Sequence, residues 1–129
     1  MKKDFIEELK WRGMLHDMIP GTEEYLRSKK TIGYIGFDPT SDSLHIGSLV
    51  PIFILKHFQN HGHTPIVLLG GATGMIGDPS GKSDERNLLD KKVLDYNEKK
   101  LTKQFEKFLD FKSNKLNKAI LVNNCLLYK

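Results

Sequence analysis

Two segments of the chain concentrate residue types that bind and polarise phosphate. The first reads Gly36-Phe37-Asp38-Pro39-Thr40-Ser41-Asp42-Ser43-Leu44-His45-Ile46-Gly47-Ser48. Asp-Pro turns the chain, and a helix is expected to open near residues 44–47 with Ser43 or His45 as its cap. Free amide groups at such a helix start favour an anion, and Thr40 and His45 add donors beside them. Gly47 removes a side chain from the first turn, so a flat group can approach the backbone closely. The bland alternative for the same residues is a well-capped turn with a surface histidine.

The second segment is Gly70-Gly71-Ala72-Thr73-Gly74-Met75-Ile76-Gly77-Asp78-Pro79-Ser80-Gly81-Lys82-Ser83. It approaches two phosphate-binding fingerprints and meets neither. A P-loop needs glycine where Ile76 stands, and a dinucleotide turn needs glycine where Ala72 stands. A free-standing P-loop module is therefore disfavoured. Glycines at 70, 71, 74, 77 and 81, followed by Lys82 and Arg86, still suit an anion or nucleotide pocket. Asp78 beside them suits a ligand ammonium. A plain surface loop is the competing reading, but so much glycine costs entropy that a plain loop need not spend.

These segments must hang on regular elements. Residues 4–15 place Phe5, Ile6, Leu9 and, less clearly, Trp11 on one side of a short helix. A second helix is expected over residues 22–29, with Thr22 as N-cap after Pro20-Gly21. Residues 31–37 and 64–69 read as apolar strands, and residues 118–123 as a third. Helices are expected over 46–60, ended by Gly62, and over about 90–109, where Val93, Leu94, Leu101, Phe105 and Phe108 recur at roughly helical spacing. Pro51 is tolerated only in a first turn, so the former helix should start late. Alternation of strand and helix predicts an α/β fold with a parallel sheet, and the wholly apolar strands predict that both its faces are covered. Ligands of such sheets collect at the strands' carboxyl ends, which is where both segments begin. Tyr34 falls inside the first strand, so its hydroxyl should either bond to protein in the core or line a pocket floor.

Composition narrows the classes. A length of 129 residues fits one ordinary domain. The longest apolar run, residues 49–55, is far short of the ~20 that cross a membrane. Single Cys125 leaves no internal disulfide and fits a reducing, cytoplasmic setting. A net charge of +4 favours anionic partners only weakly. His57, His61 and His63 lack the cysteine or carboxylate that would complete a metal set, so they read as surface histidines at a helix end. Lys99, Lys100, Lys103, Lys107, Lys112, Lys115 and Lys118, interleaved with Glu98, Glu106 and Asp110, read as a solvated face.

Taken together, the two segments resemble those of bacterial-type tyrosyl-tRNA synthetases, with His45-Ile46-Gly47-Ser48 as the counterpart of the class I signature HIGH. The likeness runs over about residues 5–124. It implies the first half of a doubly wound, Rossmann-like catalytic domain, and ATP with Mg2+ as a substrate complex. It further implies tyrosine and tRNA(Tyr) as substrates, homodimerisation and no resident metal. By the family's pattern Tyr34 would bond the substrate phenol and Asp78 its ammonium. Gly36, Asp38, Gly47 and Ser48 would lie along the adenylate. Thr40, His45, Lys82 and Arg86 would meet the charge of the leaving phosphates. Ser48 departs from the usual histidine, so contact with the nucleotide sugar would be lost or bridged by water. The resemblance also implies that the second half of the fold, the KMSKS loop and the anticodon-binding region lie outside these 129 residues, and the residues after Asn124 depart from the family. A chain of this extent is expected to be catalytically inert, a fragment that at most binds a ligand or partner, and to self-associate through its first strand.

Overall fold

In the computed structural model, which describes residues 4–37, 46–70 and 86–123, Asp4 fixes the start of α1 (Phe5–Trp11). Its carboxylate accepts the Glu7 N–H at 2.9 Å while Glu7 Oε2 accepts the Asp4 N–H at 3.3 Å, a reciprocal capping box. Arg27, from α2 (Thr22–Ser28), pairs with Asp4 and also reaches Glu7 and Glu23. Burial works against the Asp4 carboxylate, but the Glu7 N–H and the Arg27 guanidinium outweigh it and hold its pKa below the usual carboxylate range. Phe5, Ile6 and Leu9 are buried as expected, whereas Trp11 is exposed. The N-cap of α2 is Gly21 at φ 90°, not Thr22, because the turn after Pro20 needs the left-handed backbone that glycine accepts.

Three strands follow among the described residues: β1 (Ile32–Phe37), β2 (Thr64–Leu69) and β3 (Ile120–Asn123). They form one parallel sheet in the order β1-β2-β3, with Tyr34 level with Ile66 and Phe37 level with Leu69. The helix between β1 and β2 begins as a 3-10 turn, Ile46–Ser48, and becomes α3 at Leu49–Asn60. Pro51 thus occupies the first α-turn, where its missing N–H costs nothing. The long helix α4 (Arg86–Phe105) starts and ends about one turn earlier than the apolar spacing suggests. After Phe105 the chain tightens, with the Phe108 N–H donating to the Phe105 carbonyl. Val93 is exposed, while Leu101 and Phe105 are buried. With its helices the sheet forms a Rossmann-like layer: the strand–helix alternation predicts the parallel sheet, and the resemblance its type.

Among the described residues the core lies on one face of the sheet. Phe37, Val67 and Leu69 pack there against Ile52, Leu55, Leu101, Phe105 and Leu109, with the Phe37 and Phe105 rings 4.9 Å apart edge to face. A second cluster joins α1 to the far side of α3 through Phe5, Ile6, Leu9 and Phe58. The opposite sheet face carries Ile32, Tyr34, Ile66, Leu68, Ile120 and Val122, with Ile32 64% and Tyr34 69% exposed. The expectation of two covered faces is therefore corrected for the described residues. Apolar strands require burial, but strand sequence alone does not say which faces this stretch of chain covers.

Candidate functional site at the strand ends

β1 and β2 end side by side, and the Gly70 N–H donates to the Phe37 carbonyl at 2.8 Å. The two glycine-rich segments therefore leave the sheet from adjacent points. Tyr34 and Gly36 share the open face of β1, two residues apart, and Leu68 stands level with Gly36. Tyr34 is neither a core tyrosine nor enclosed by protein: its side of β1 has no helix over it among the described residues.

The two glycines of β1 differ in what their missing side chains spare. A Cβ on Gly33 would stand 3.0 Å from the Phe58 ring, so packing explains that glycine. A Cβ on Gly36 would meet nothing within 4 Å among the described residues. Packing among the described residues does not demand glycine at 36, and none of them fills the space above its backbone. Gly47 lies exposed in the 3-10 turn. Ser48 occupies the N-cap position of α3 with helical backbone and makes no side-chain cap bond. Arg86 is the first residue of α4. Asp38, Thr40, His45, Asp78 and Lys82 lie outside the described residues, as do the cap roles considered for Ser43 and His45.

The opposite, amino end of the sheet is built from polar contacts that sequence pattern did not reveal. Gln59 Nε2 donates to the carbonyls of Asp110 (2.9 Å) and Asn117 (3.2 Å), and its Oε1 accepts the Asp110 N–H at 2.9 Å. Asn117 Nδ2 returns to the Gln59 carbonyl at 2.8 Å. A cleft of about 680 Å³ opens beside this network, between the end of α3 and residues 106–117, far from the strands' carboxyl ends. His63, expected at the surface, is 4% exposed. Its ring stacks on Phe58 at 4.6 Å, and its Nδ1 accepts the Thr31 N–H at 3.1 Å. Spacing identified the helix end correctly but not the aromatic ring waiting there. No group of three potential metal ligands occurs among the described residues. The lysines from 99 to 118 are exposed, as a solvated face requires.

Residues 26–127 match the family described as tRNA synthetases class I (W and Y). The chain belongs to that family. Its curated relatives include the tyrosine–tRNA ligases of Bacteroides fragilis, 61% identical over 121 residues, and Flavobacterium psychrophilum, 62% identical over 122. These alignments cover 94% and 95% of the chain but 28% of each relative, so the chain spans little more than a quarter of their length. Among solved structures, the C-terminally truncated mitochondrial tyrosyl-tRNA synthetase of Coccidioides posadasii superposes with a TM-score of 0.71 at 30% identity. That of Aspergillus nidulans gives 0.70 at the same identity. Each match covers 98% of the chain, and 37% and 39% of the respective structures. The class I synthetase likeness drawn from the two loops thus extends across the sheet and helices that carry them, on the tyrosyl side of the family. No described helix is long and apolar enough to cross a membrane.

Proposed function

We propose that these residues form the amino-terminal half of the nucleotide-binding catalytic domain of a cytoplasmic, homodimeric tyrosine–tRNA ligase. The observation that carries this reading is the open ground at the carboxyl ends of β1 and β2, where Tyr34 and unhindered Gly36 share one face. A carboxylate oxygen of tyrosine attacks the α-phosphorus of ATP, and the bond from that phosphorus to the β-phosphate oxygen breaks. Pyrophosphate leaves with the electron pair, accompanied by the Mg2+ that entered with ATP. A hydroxyl of the terminal tRNA(Tyr) ribose then attacks the acyl carbon and displaces AMP.

Tyr34 bonds the phenol and Asp78 the ammonium. Gly36, Asp38, Gly47 and Ser48 border the adenylate, and Gly36 and Gly47 do so by leaving their backbone bare. Thr40 and His45 donate to the departing phosphates, with Lys82 and Arg86 as further cations. All of this is positioning and charge stabilisation, with no covalent enzyme intermediate. In the complete ligase, Thr40→Ala and His45→Ala should slow adenylate formation far more than they weaken tyrosine binding, because they meet charge that develops only as pyrophosphate leaves. Pre-steady-state rates compared with equilibrium tyrosine binding test this. Equal losses in both would overturn the assignment.

A second reading concerns the 129 residues alone, and the sheet face left open, with β1 at its edge, among the described residues favours it. By themselves they form a half-built pocket and associate through β1 rather than catalyse. Light scattering at several concentrations and pyrophosphate release with tyrosine, ATP and Mg2+ decide the matter. A stable monomer with tyrosine-dependent release, abolished by Asp78→Ala, would overturn this second reading.

A further inference from the structure

β1 and β2 carry both glycine-rich segments, so their relative register sets where those segments start. At the amino end of the seam the chain entering β1 is tied to residues 63 and 64, in one bond through a side chain. The Thr64 N–H donates to the Thr31 carbonyl at 2.9 Å, and the Thr31 N–H donates to His63 Nδ1 at 3.1 Å. The His63 N–H in turn donates to the Phe58 carbonyl at 3.1 Å, and the His63 carbonyl accepts Asn117 Nδ2 at 3.3 Å. The imidazole is held between Phe58, stacked at 4.6 Å, and Phe5, edge-on at 6.2 Å.

We propose that His63 is a positioning residue that anchors the chain entering β1 to the amino end of β2, holding the Thr31 N–H on an unprotonated Nδ1 and releasing it when the ring becomes an imidazolium. A ring nitrogen accepts a hydrogen bond only while it lacks a proton, so the ring proton of the neutral form sits on Nε2. An imidazolium would set a donor against the Thr31 donor inside an aromatic pocket, and that arrangement cannot persist. The titratable groups acting on the ring are Lys30, before β1, and His61, at the end of α3. α1 contributes Phe5 to the ring's surroundings, and the segment before β3 contributes the neutral amide of Asn117. Burial first, then Lys30 and His61, hold the pKa of His63 below the usual imidazole value. The latch is therefore closed at neutral pH and opens only in acid.

The test needs only this chain. Ring nitrogen shifts at neutral pH should report the Nε2–H tautomer for His63. Protection of the Thr31 amide, corrected for intrinsic exchange, should fall by up to about tenfold per pH unit once the ring protonates, below about pH 6.5. The Gly70 amide, at the other end of the same seam, should not follow. His63→Gln offers a carbonyl acceptor that does not titrate and should flatten the Thr31 profile at a protected level. His63→Phe keeps an aromatic ring without an acceptor and should leave Thr31 unprotected at every pH. An Nδ1–H tautomer, a wild-type profile without an acid limb, or equal loss at Thr31 and Gly70 would overturn the proposal. All three are read on the unsubstituted chain, whether or not the variants fold, and none depends on ligase activity.

Discussion

The amino and carboxyl ends of the sheet are finished in different ways. At the amino end, Gln59, Asn117 and His63 tie α3, the start of β1 and residues 106–119 together through side-chain bonds of 2.8–3.3 Å. At the carboxyl end, Gly36 faces open space, Ser48 leaves its helix start without a side-chain cap, and Tyr34 stands exposed. An end devoted to stability satisfies its polar groups internally. An end that binds a ligand, as proposed for this one, keeps donors and backbone available, and the rest of the fold must hold it in place. The covered and open faces of the sheet repeat this division.

The largest expected effect lies on the covered face. Phe105 is fully buried against Phe37, so Phe105→Ala should cost about 3–5 kcal/mol in chemical unfolding. For a domain of this size such a loss removes a large share of the total stability. A cost near that of a surface substitution would place the core elsewhere.

Gln59→Ala comes next. It strands the Asp110 N–H and removes donors from two carbonyls, which should cost about 1–3 kcal/mol. Gly33→Ala should fall in a similar range, about 1–3 kcal/mol, because the new methyl meets the Phe58 ring at 3.0 Å. Gly36→Ala should change stability by less than about 0.5 kcal/mol. Urea midpoints of the two glycine variants measured side by side would break the comparison if their order reversed.

Much of this architecture was legible in the sequence, and the limits have physical causes. The run Thr64–Leu69 is continuously apolar between a glycine before and a glycine after, so β2 had clear bounds. Pro51 announced the late start of α3 because proline's missing N–H is tolerable only in the first turn. Gln59, by contrast, bonds partners 51 and 58 positions away, and no local pattern marks such a contact. His63 sits in a polar-looking Asn60-His61-Gly62-His63 stretch, yet Gly62 at φ 88° turns the chain so that its ring stacks on Phe58. Tyr34 reads as buried because strand apolarity is symmetric between faces, whereas cover is decided by helices elsewhere in the chain. At the site, the residue types at the strand ends were readable from glycine and charge alone. The bareness of Gly36 needed its neighbours.

Acid should expose a further, smaller contrast through Asp4. Its pKa is lower folded than unfolded, so its contribution is present above the ordinary value near 3.8 and lost as pH falls through the folded value. Asp4→Ala removes the α1 cap and should cost about 0.5–2 kcal/mol at neutral pH, and less below that limb. Unfolding curves at pH 7 and in acid, compared between the two proteins, check the sign. A difference that grows in acid would contradict it.

The smallest effect on the fold is expected at Tyr34, and it sharpens the comparison most. The side chain is 69% exposed on a face without a helix over it among the described residues, so Tyr34→Phe removes no buried hydrogen bond. Stability of the chain should change by less than about 0.5 kcal/mol. In the complete ligase the same hydroxyl, if it meets the substrate phenol, supplies a bond that phenylalanine cannot use. Its removal should reduce discrimination between tyrosine and phenylalanine by about 0.5–1.5 kcal/mol, the net worth of one neutral hydrogen bond. Competition kinetics of adenylate formation measure that ratio directly. Unchanged discrimination would take Tyr34 out of the phenol-binding role. Lost stability would instead show that the open face of β1 is not open, and that the division between a stabilising and a binding side of this sheet is wrong.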